Sequence, residues 1–247
     1  MKKSRLLGAL CACVISIISI PSHASLIDRG GGLIYDDILN VTWLQYANYA
    51  MTSGYDADGL MTWSEAVTWA SNLSYGGHTD WRLPIAGPVN GTTYNYNLSY
   101  IGNTDFGQNM GEQDTTYAGS TSNEMAHLNF TSLDNKAKCS PSSVLASDSV
   151  CIEQSGWGGA ISIANTGPFI NLQTKYWSGT EYAPDTDKAW NFTFIYGSQS
   201  GNEKTINWAA LAVHDGDIGT VPLPAATWLF GSGLLGLIGM TRRKTIK

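Results

Sequence analysis

Positive charge is scarce in this chain, and half of it is confined to the two ends. Of 14 Lys and Arg in 247 residues, seven are Lys2, Lys3, Arg5, Arg242, Arg243, Lys244 and Lys247. All 20 Asp and Glu lie between those ends, so residues 25–220 hold seven basic side chains and a net charge of −13. A surface of that sign repels phosphate backbones, which argues against nucleic acid as a partner. Histidine is equally sparse. His78, His127 and His214 stand apart, with no His-x-x-His or His-Glu-x-x-His spacing for a metal. No Gly-x-Ser-x-Gly elbow and no phosphate-binding loop occurs, and no repeat at a solenoid period is visible.

Long apolar runs are also missing, except at the same two ends. Lys2, Lys3 and Arg5 precede the apolar stretch Leu6–Ile20, and Ser22 and Ala24 supply small residues for cleavage between Ala24 and Ser25. Residues 1–24 therefore read as a signal peptide, cut by signal peptidase. A lipobox at Leu10-Cys-Ala-Cys13 is the rival reading, but seven more apolar or small residues follow Cys13. At the other end Val221, Pro222, Leu223 and Pro224 lead into an apolar run closed by Arg242, Arg243 and Lys244. From Val221 to Met240 a helix rising ~1.5 Å per residue would span roughly 30 Å, the thickness of a hydrocarbon core. The basic end suits the cytoplasmic side. This tail resembles the PEP-CTERM sorting signal, in a variant with Leu223 where the family usually has Glu. The resemblance implies processing by an exosortase, with the inner membrane holding the tail beforehand. A plain single-span tail anchor is the alternative.

Removing the leader takes Cys11 and Cys13 with it and leaves Cys139 and Cys151. Two cysteines in an oxidising compartment are expected to pair. The polar loop between them, SPSSVLASDSV, has little else to order it, and closing it is worth roughly 3 kcal/mol. A redox or metal-binding pair would call for Cys-x-x-Cys spacing or a neighbouring His.

What the middle of the chain has in plenty is aromatic side chains: eight Trp and all twelve Tyr lie in residues 25–220. Leu33-Ile-Tyr35 and Val41-Thr-Trp43 read as strands around a turn. Trp190, Phe192, Phe194 and Tyr196 alternate with other residues as a half-buried strand does, with Thr205–Val213 as its expected return partner. Thr62-Trp-Ser-Glu65 is a capping box ahead of Ala66, Val67, Ala70 and Leu73 on one helical face. Thr121-Ser-Asn-Glu124 repeats that signal before a second helix expected over 122–133. The segment 84–119, rich in Gly, Asn, Thr and Tyr, reads as a long loop.

Trp63-Ser-Glu-Ala66, then Gly76-Gly-His-Thr-Asp80-Trp81-Arg82-Leu83-Pro84, then Tyr176-Trp177-Ser-Gly-Thr resemble a lectin-like bacterial domain of unknown function, the type found at the C-terminus of a collagen-like adhesin. The resemblance implies an α+β, C-type-lectin-like domain over 25–220, with two helices on a small twisted antiparallel sheet and long loops. A single hydrophobic helix in the sorting segment 221–247 would follow it. In physical terms Trp63, Asp80–Pro84, Tyr176 and Trp177 read as architecture: Trp81 and Leu83 pack inward, and Arg82 is placed to bridge a carboxylate. Calcium, which many lectins of that class use, would need ligands such as Glu181 and Asp185, Asp56 and Asp58, or Asp215 and Asp217, and short Asp/Gly runs are more often turns.

The sequence thus points to an exported protein of the cell surface or extracellular matrix, non-enzymatic and without a cofactor, with a binding or structural role. Exopolysaccharide or another surface protein is the expected partner. An adhesin with a defined pocket, and an enzyme on a related fold, are the rival readings.

Overall fold

The computed structural model describes residues 25–142 and 146–219. The expected leader, with the Ala24 side of its cleavage site, and the whole sorting segment 221–247 lie outside the described residues. Among those described, no helix is long and apolar enough to cross a membrane.

Near the start the chain doubles back twice. Strand β1 (Leu26–Gly30) pairs antiparallel with β2 (Leu33–Asp36), and β2 with β3 (Val41–Leu44). The second turn forms because the Asp36 carboxylate accepts the amides of Ile38 (3.2 Å) and Leu39 (3.0 Å), while Asn40 takes up φ +53°. One helical turn, α1 (Tyr49–Thr52), and a short strand, β4 (Leu60–Met61), lead to α2 (Trp63–Ser71). Helix α2 begins at its capping sequence, where the Glu65 carboxylate accepts both the Thr62 amide (3.0 Å) and its hydroxyl (2.6 Å). Its inner face is Ala66, Trp69 and Ala70.

Two short strands follow, β5 (Leu98–Ser99) and β6 (Phe106–Gln108), and then a second helical turn, α3 (Glu124–His127). The chain closes with β7 (Lys175–Glu181), β8 (Lys188–Thr193), β9 (Ser198–Glu203), β10 (Trp208–Ala209) and β11 (Val213–Asp215). A four-stranded sheet has the order β1-β2-β3-β11, and a seven-stranded sheet the order β4-β10-β7-β8-β9-β6-β5. The larger sheet is mixed, because β10 runs parallel to β7 and β5 parallel to β6.

This corrects the expected fold class. The described chain is mostly β, eleven strands in two sheets, rather than an α+β domain of two helices on a small antiparallel sheet. Three local causes are visible. The second helix starts late and stops early: Asn123, not Thr121, caps it by accepting the Ala126 amide (3.1 Å), and it passes into one π turn, Leu128–Ser132. Asn129 and Asn135 bond each other there instead of continuing the helix. The presumed loop 84–119 supplies β5 and β6, which approach so closely that a Cβ on Gly107 would lie 1.8 Å from the Ser99 carbonyl oxygen. Finally, the partner of β8 is the polar strand β9 and not residues 205–213. Asn191, opposite Ser200, donates to the Ser200 carbonyl (2.5 Å) and to Asn202 (3.0 Å), so polar bonds replace the apolar alternation that marks most strands.

The displaced segment has a larger task. Ala209 to Val213 are all buried, and their side chains alternate between two cores. Ala209, Leu211 and Val213 join Ile34, Trp43, Phe130, Tyr176, Phe192 and Phe194, whereas Ala210 and Ala212 join Leu33, Trp69, Trp81, Leu83 and Trp177. In passing from β10 to β11 this segment links the two sheets. Residues 139 and 151 are joined by a disulfide whose Cα atoms are 5.0 Å apart, above a base closed by Ser140 N–H to the Ile152 carbonyl (2.7 Å).

Two outcomes are expected. Trp81 and Trp177 are 2% and 0% exposed, so replacing either by Ala should lower stability in denaturant melts by about 3–5 kcal/mol; unchanged melts would contradict their place in the core. Thiol labelling of the denatured, unreduced exported protein should give no signal, whereas two labelled cysteines per chain would show the bond to be absent.

Candidate functional site

The motif residues singled out in sequence do come together, but as scaffold. The Trp63 indole donates to the Ser178 carbonyl (2.8 Å), and the Trp177 indole to that of Met61 (3.0 Å). Trp81 donates weakly to the His78 carbonyl (3.3 Å), Pro84 accepts the Gly179 amide (2.8 Å), and the Tyr176 hydroxyl accepts the Gln173 amide (2.6 Å). Asp80 is exposed and occupies φ +64°, turning the chain into the motif. Arg82 is the centre. Its backbone exchanges two hydrogen bonds with Val213 (2.9 Å each). Its guanidinium donates a forked pair to the two oxygens of Glu124 (2.8 and 2.6 Å), and its Nε and Nη2 both donate to Oδ1 of Asp215 (3.1 and 2.6 Å). These carboxylates hold its pKa above the ordinary arginine value against the opposing pull of burial. Ser25 and Asp37, at the start of the described chain, bond each other (2.7 Å).

The acidic pairs weighed as calcium ligands are engaged otherwise. Asp56 accepts the amides of Asp58 (3.1 Å) and Gly59 (2.7 Å), which hold its pKa below the usual carboxylate value and make the segment a turn. Glu181 bonds Lys204, and Asp185 bonds Lys188 (2.7 Å). Asp215 meets Arg82, and Asp217 meets Arg29 (2.6 Å). Among the described residues no three His, Cys, Asp or Glu side chains converge on a common point. His78, His127 and His214 each bond a backbone carbonyl, at 2.8, 3.1 and 2.7 Å.

What sequence reasoning missed is an aromatic face on the larger sheet. Trp190, Phe192 and Phe194 share one face of the β8 segment; the two phenylalanines run into the core, and Trp190 lies at the outer end of the row. Over it sit three half-buried tyrosines. Tyr94 and Tyr96 lie near-parallel to the Trp190 indole, at interplanar angles of 20° and 9° and centroid distances of 6.1 and 6.0 Å. Tyr182 meets Trp190 edge-on at 4.7 Å and Tyr96 at 5.4 Å, and Phe106 closes the group. Gly201, opposite Trp190 in register, makes room: a Cβ there would come within 2.6 Å of the Tyr182 ring. The buried indole N–H of Trp190 has no partner among the described residues.

A buried carboxylate positions the loop that carries two of these rings. Asp105, 1% exposed, accepts the amides of Val89 (2.6 Å) and Asn95 (2.7 Å), while the Tyr94 hydroxyl donates to the Ala86 carbonyl (2.8 Å). Burial raises the Asp105 pKa despite those bonds. The Asp105 carbonyl takes a bond from Gln199 on β9 (2.9 Å), and Gln199 accepts one from Asn123, the α3 cap. The only sequence signals for this face were the Tyr94-Asn-Tyr96 alternation and the position of Trp190.

Compared with models of protein families, with curated proteins and with solved structures, the chain finds no match. The resemblances described above therefore rest on their motif residues alone.

A second buried acid lines a cavity of about 80 Å³ beside the disulfide loop. Glu112, 4% exposed, accepts the Ala137 amide (3.0 Å) and the Gln154 side chain (2.9 Å). Burial pushes its carboxyl from the ordinary 4.5 up to about 7, against the opposing pull of those bonds and of Lys136. Because the folded value is the higher one, folded protein binds the proton more tightly, and stability falls as pH rises from 4.5 to 7. At 1.36 kcal/mol per pKa unit the loss reaches at most about 3 kcal/mol above that range. Urea melts at pH 5 and pH 8 should show wild-type protein losing more stability than Glu112→Gln over this interval; equal losses would contradict the assignment.

Proposed function

We propose that this chain is an exported bacterial protein of the cell surface or extracellular matrix, whose folded part binds rather than catalyses. The observation that carries the reading is the aromatic face. Large rings left half-buried over a fully buried indole, on a rigid sheet, offer apolar contact area at small entropic cost. Elsewhere Arg82 is engaged by two carboxylates, and each of the three described histidines bonds a backbone carbonyl through one ring nitrogen, the buried Nε2 of His127 having no partner among the described residues. The Cys139–Cys151 bond suits an oxidising exterior.

In this reading signal peptidase cuts between Ala24 and Ser25. The PEP-CTERM-like tail then holds the chain in the inner membrane until an exosortase removes it, and exopolysaccharide is the expected partner outside.

Intact-mass analysis of protein made by a host with its own exosortase tests the maturation. The product should begin at Ser25 and end near Val221–Ala226. Recovery of 25–247 whole would leave a simple tail anchor, and retention in the cytoplasm would overturn export. The mature protein should also rebind the extracellular material from which it was washed; remaining wholly in the supernatant would contradict a binding role.

A further inference from the structure

We infer that the face formed by Tyr94, Tyr96, Phe106 and Tyr182 over Trp190 is a stacking site for a neutral hexopyranose polysaccharide. The inference rests on the binding role proposed above and names its ligand.

Three features select that chemistry. The first is ring geometry. A pyranose presents a flat patch of C–H bonds on one face and hydroxyls around its edge, and it packs against an aromatic face that is fixed in orientation. Tyr94 and Tyr96 are so fixed, lying 20° from each other and near-parallel to a buried indole. Tyr182 stands at 83° to Tyr96, so its ring rises beside the shelf as an edge. The second feature is the rim. In sequence Tyr96 lies between Asn95 and Asn97, both exposed. The Asn95 side-chain oxygen accepts the Asn97 backbone amide (3.2 Å), which leaves the Asn95 NH2 and the Asn97 side-chain amide as groups that donate and accept as sugar hydroxyls do.

Charge is the third feature. Residues 25–220 carry −13, which repels polyanionic glycans. Lys188 and Lys204, the lysines nearest in sequence to Tyr182, Trp190 and Gly201, are each paired with carboxylates. Lys188 lies between Asp185 (2.7 Å) and Glu203 (3.5 Å), and Lys204 is bonded to Glu181. Neither lysine is free to meet a uronate or sulfate, Lys175 lies at the opposite end of β7 from Tyr182 with its ammonium over the Trp208 ring, and a neutral chain brings no charge to be repelled.

The shelf is also held in place independently of any ligand. Asp105 fixes the loop bearing Tyr94 and Tyr96, and Gly201 leaves the space over β9 that Tyr182 fills. Gly201 has no left-handed backbone to preserve, so a methyl group there acts only by displacing the Tyr182 ring.

The test is native affinity electrophoresis of the mature protein in gels containing a neutral β-glucan, a neutral galactomannan, alginate or gelatin. Retardation by at least one neutral polysaccharide is expected, weakened about tenfold in Tyr96→Ala and several-fold in Gly201→Ala. Tyr55→Ala, at an exposed tyrosine outside the cluster, should migrate as wild type does, and thermal melts of all three variants establish that they fold. Should Tyr96→Ala fail to fold, Gly201→Ala alone decides the matter. Retardation by alginate only, by gelatin only, or by none of the four overturns the inference. So does neutral-glycan binding that survives both shelf variants. Gels read binding whatever compartment the protein comes from, so failure of export and failure of glycan binding give different results.

Discussion

Between Ala209 and Val213 the backbone has to cross the interior with apolar surroundings on both sides, and the residues there are sized for that passage. Ala210 and Ala212 face the core that holds Trp69, Trp81 and Trp177, where bulky rings leave little room. Leu211 and Val213 fill the opposite core, around Trp43 and Phe192. The ends of the same stretch belong to different sheets. Ala209 pairs with Leu60 and lies beside Tyr176, while Val213 pairs with Trp43 and is bridged to Arg82.

Arg82 extends the constraint to the surface. Its backbone is tied to Val213, and its side chain reaches both Glu124 on α3 and Asp215 on β11. Glu124 also accepts the Ile85 amide (2.7 Å), so one carboxylate fixes the start of α3 against the motif segment. Breaking this partly buried pair would leave Glu124, whose side chain is 10% exposed, without its cation. From α3 the connection continues through Asn123 and Gln199 to Asp105, and from Asp105 to the loop bearing Tyr94 and Tyr96. The aromatic face is thus joined by hydrogen bonds, through buried and partly buried groups, to the crossing segment 209–213. A binding surface held in this way meets its ligand pre-organised, with little ordering left to do.

Local signals were legible where a single stretch contains its own explanation. The β2–β3 turn followed from Asp36 and Asn40, the start of α2 from Thr62 and Glu65, and the inward row Trp190, Phe192 and Phe194 from alternating aromatics. Strand β8 nevertheless ends at Thr193, short of Tyr196, and its Asn191 and Thr193 are buried as well. The inward packing of Trp81 and Leu83, and the carboxylate partner of Arg82, could also be read from their motif. Strand β9 could not, because SQSGNE is held by amide and hydroxyl bonds to Asn191 and lacks an apolar period. Residues 205–213 were read as its substitute because they are apolar, although their apolarity serves two cores at once. The aromatic face gathers loop 94–106, β8 and the end of β7, parts separated by some ninety residues that only the folded topology brings together.

The central claim is that the crossing segment 209–213 makes two sheets and two cores into one cooperative unit. Native-state hydrogen exchange measures that directly, because amides released only by the same opening share one free energy. The Leu44 amide, bonded to Ala212 (3.2 Å), and the Val213 amide, bonded to Arg82 (2.9 Å), report on the smaller sheet. The amides of Tyr176 and Phe192, paired across β7 and β8, report on the larger. The account predicts one common opening free energy for all four that equals the global stability from denaturant melts. A smaller sheet that opens at a free energy lower by about 2 kcal/mol or more, while the larger stays protected, would contradict it.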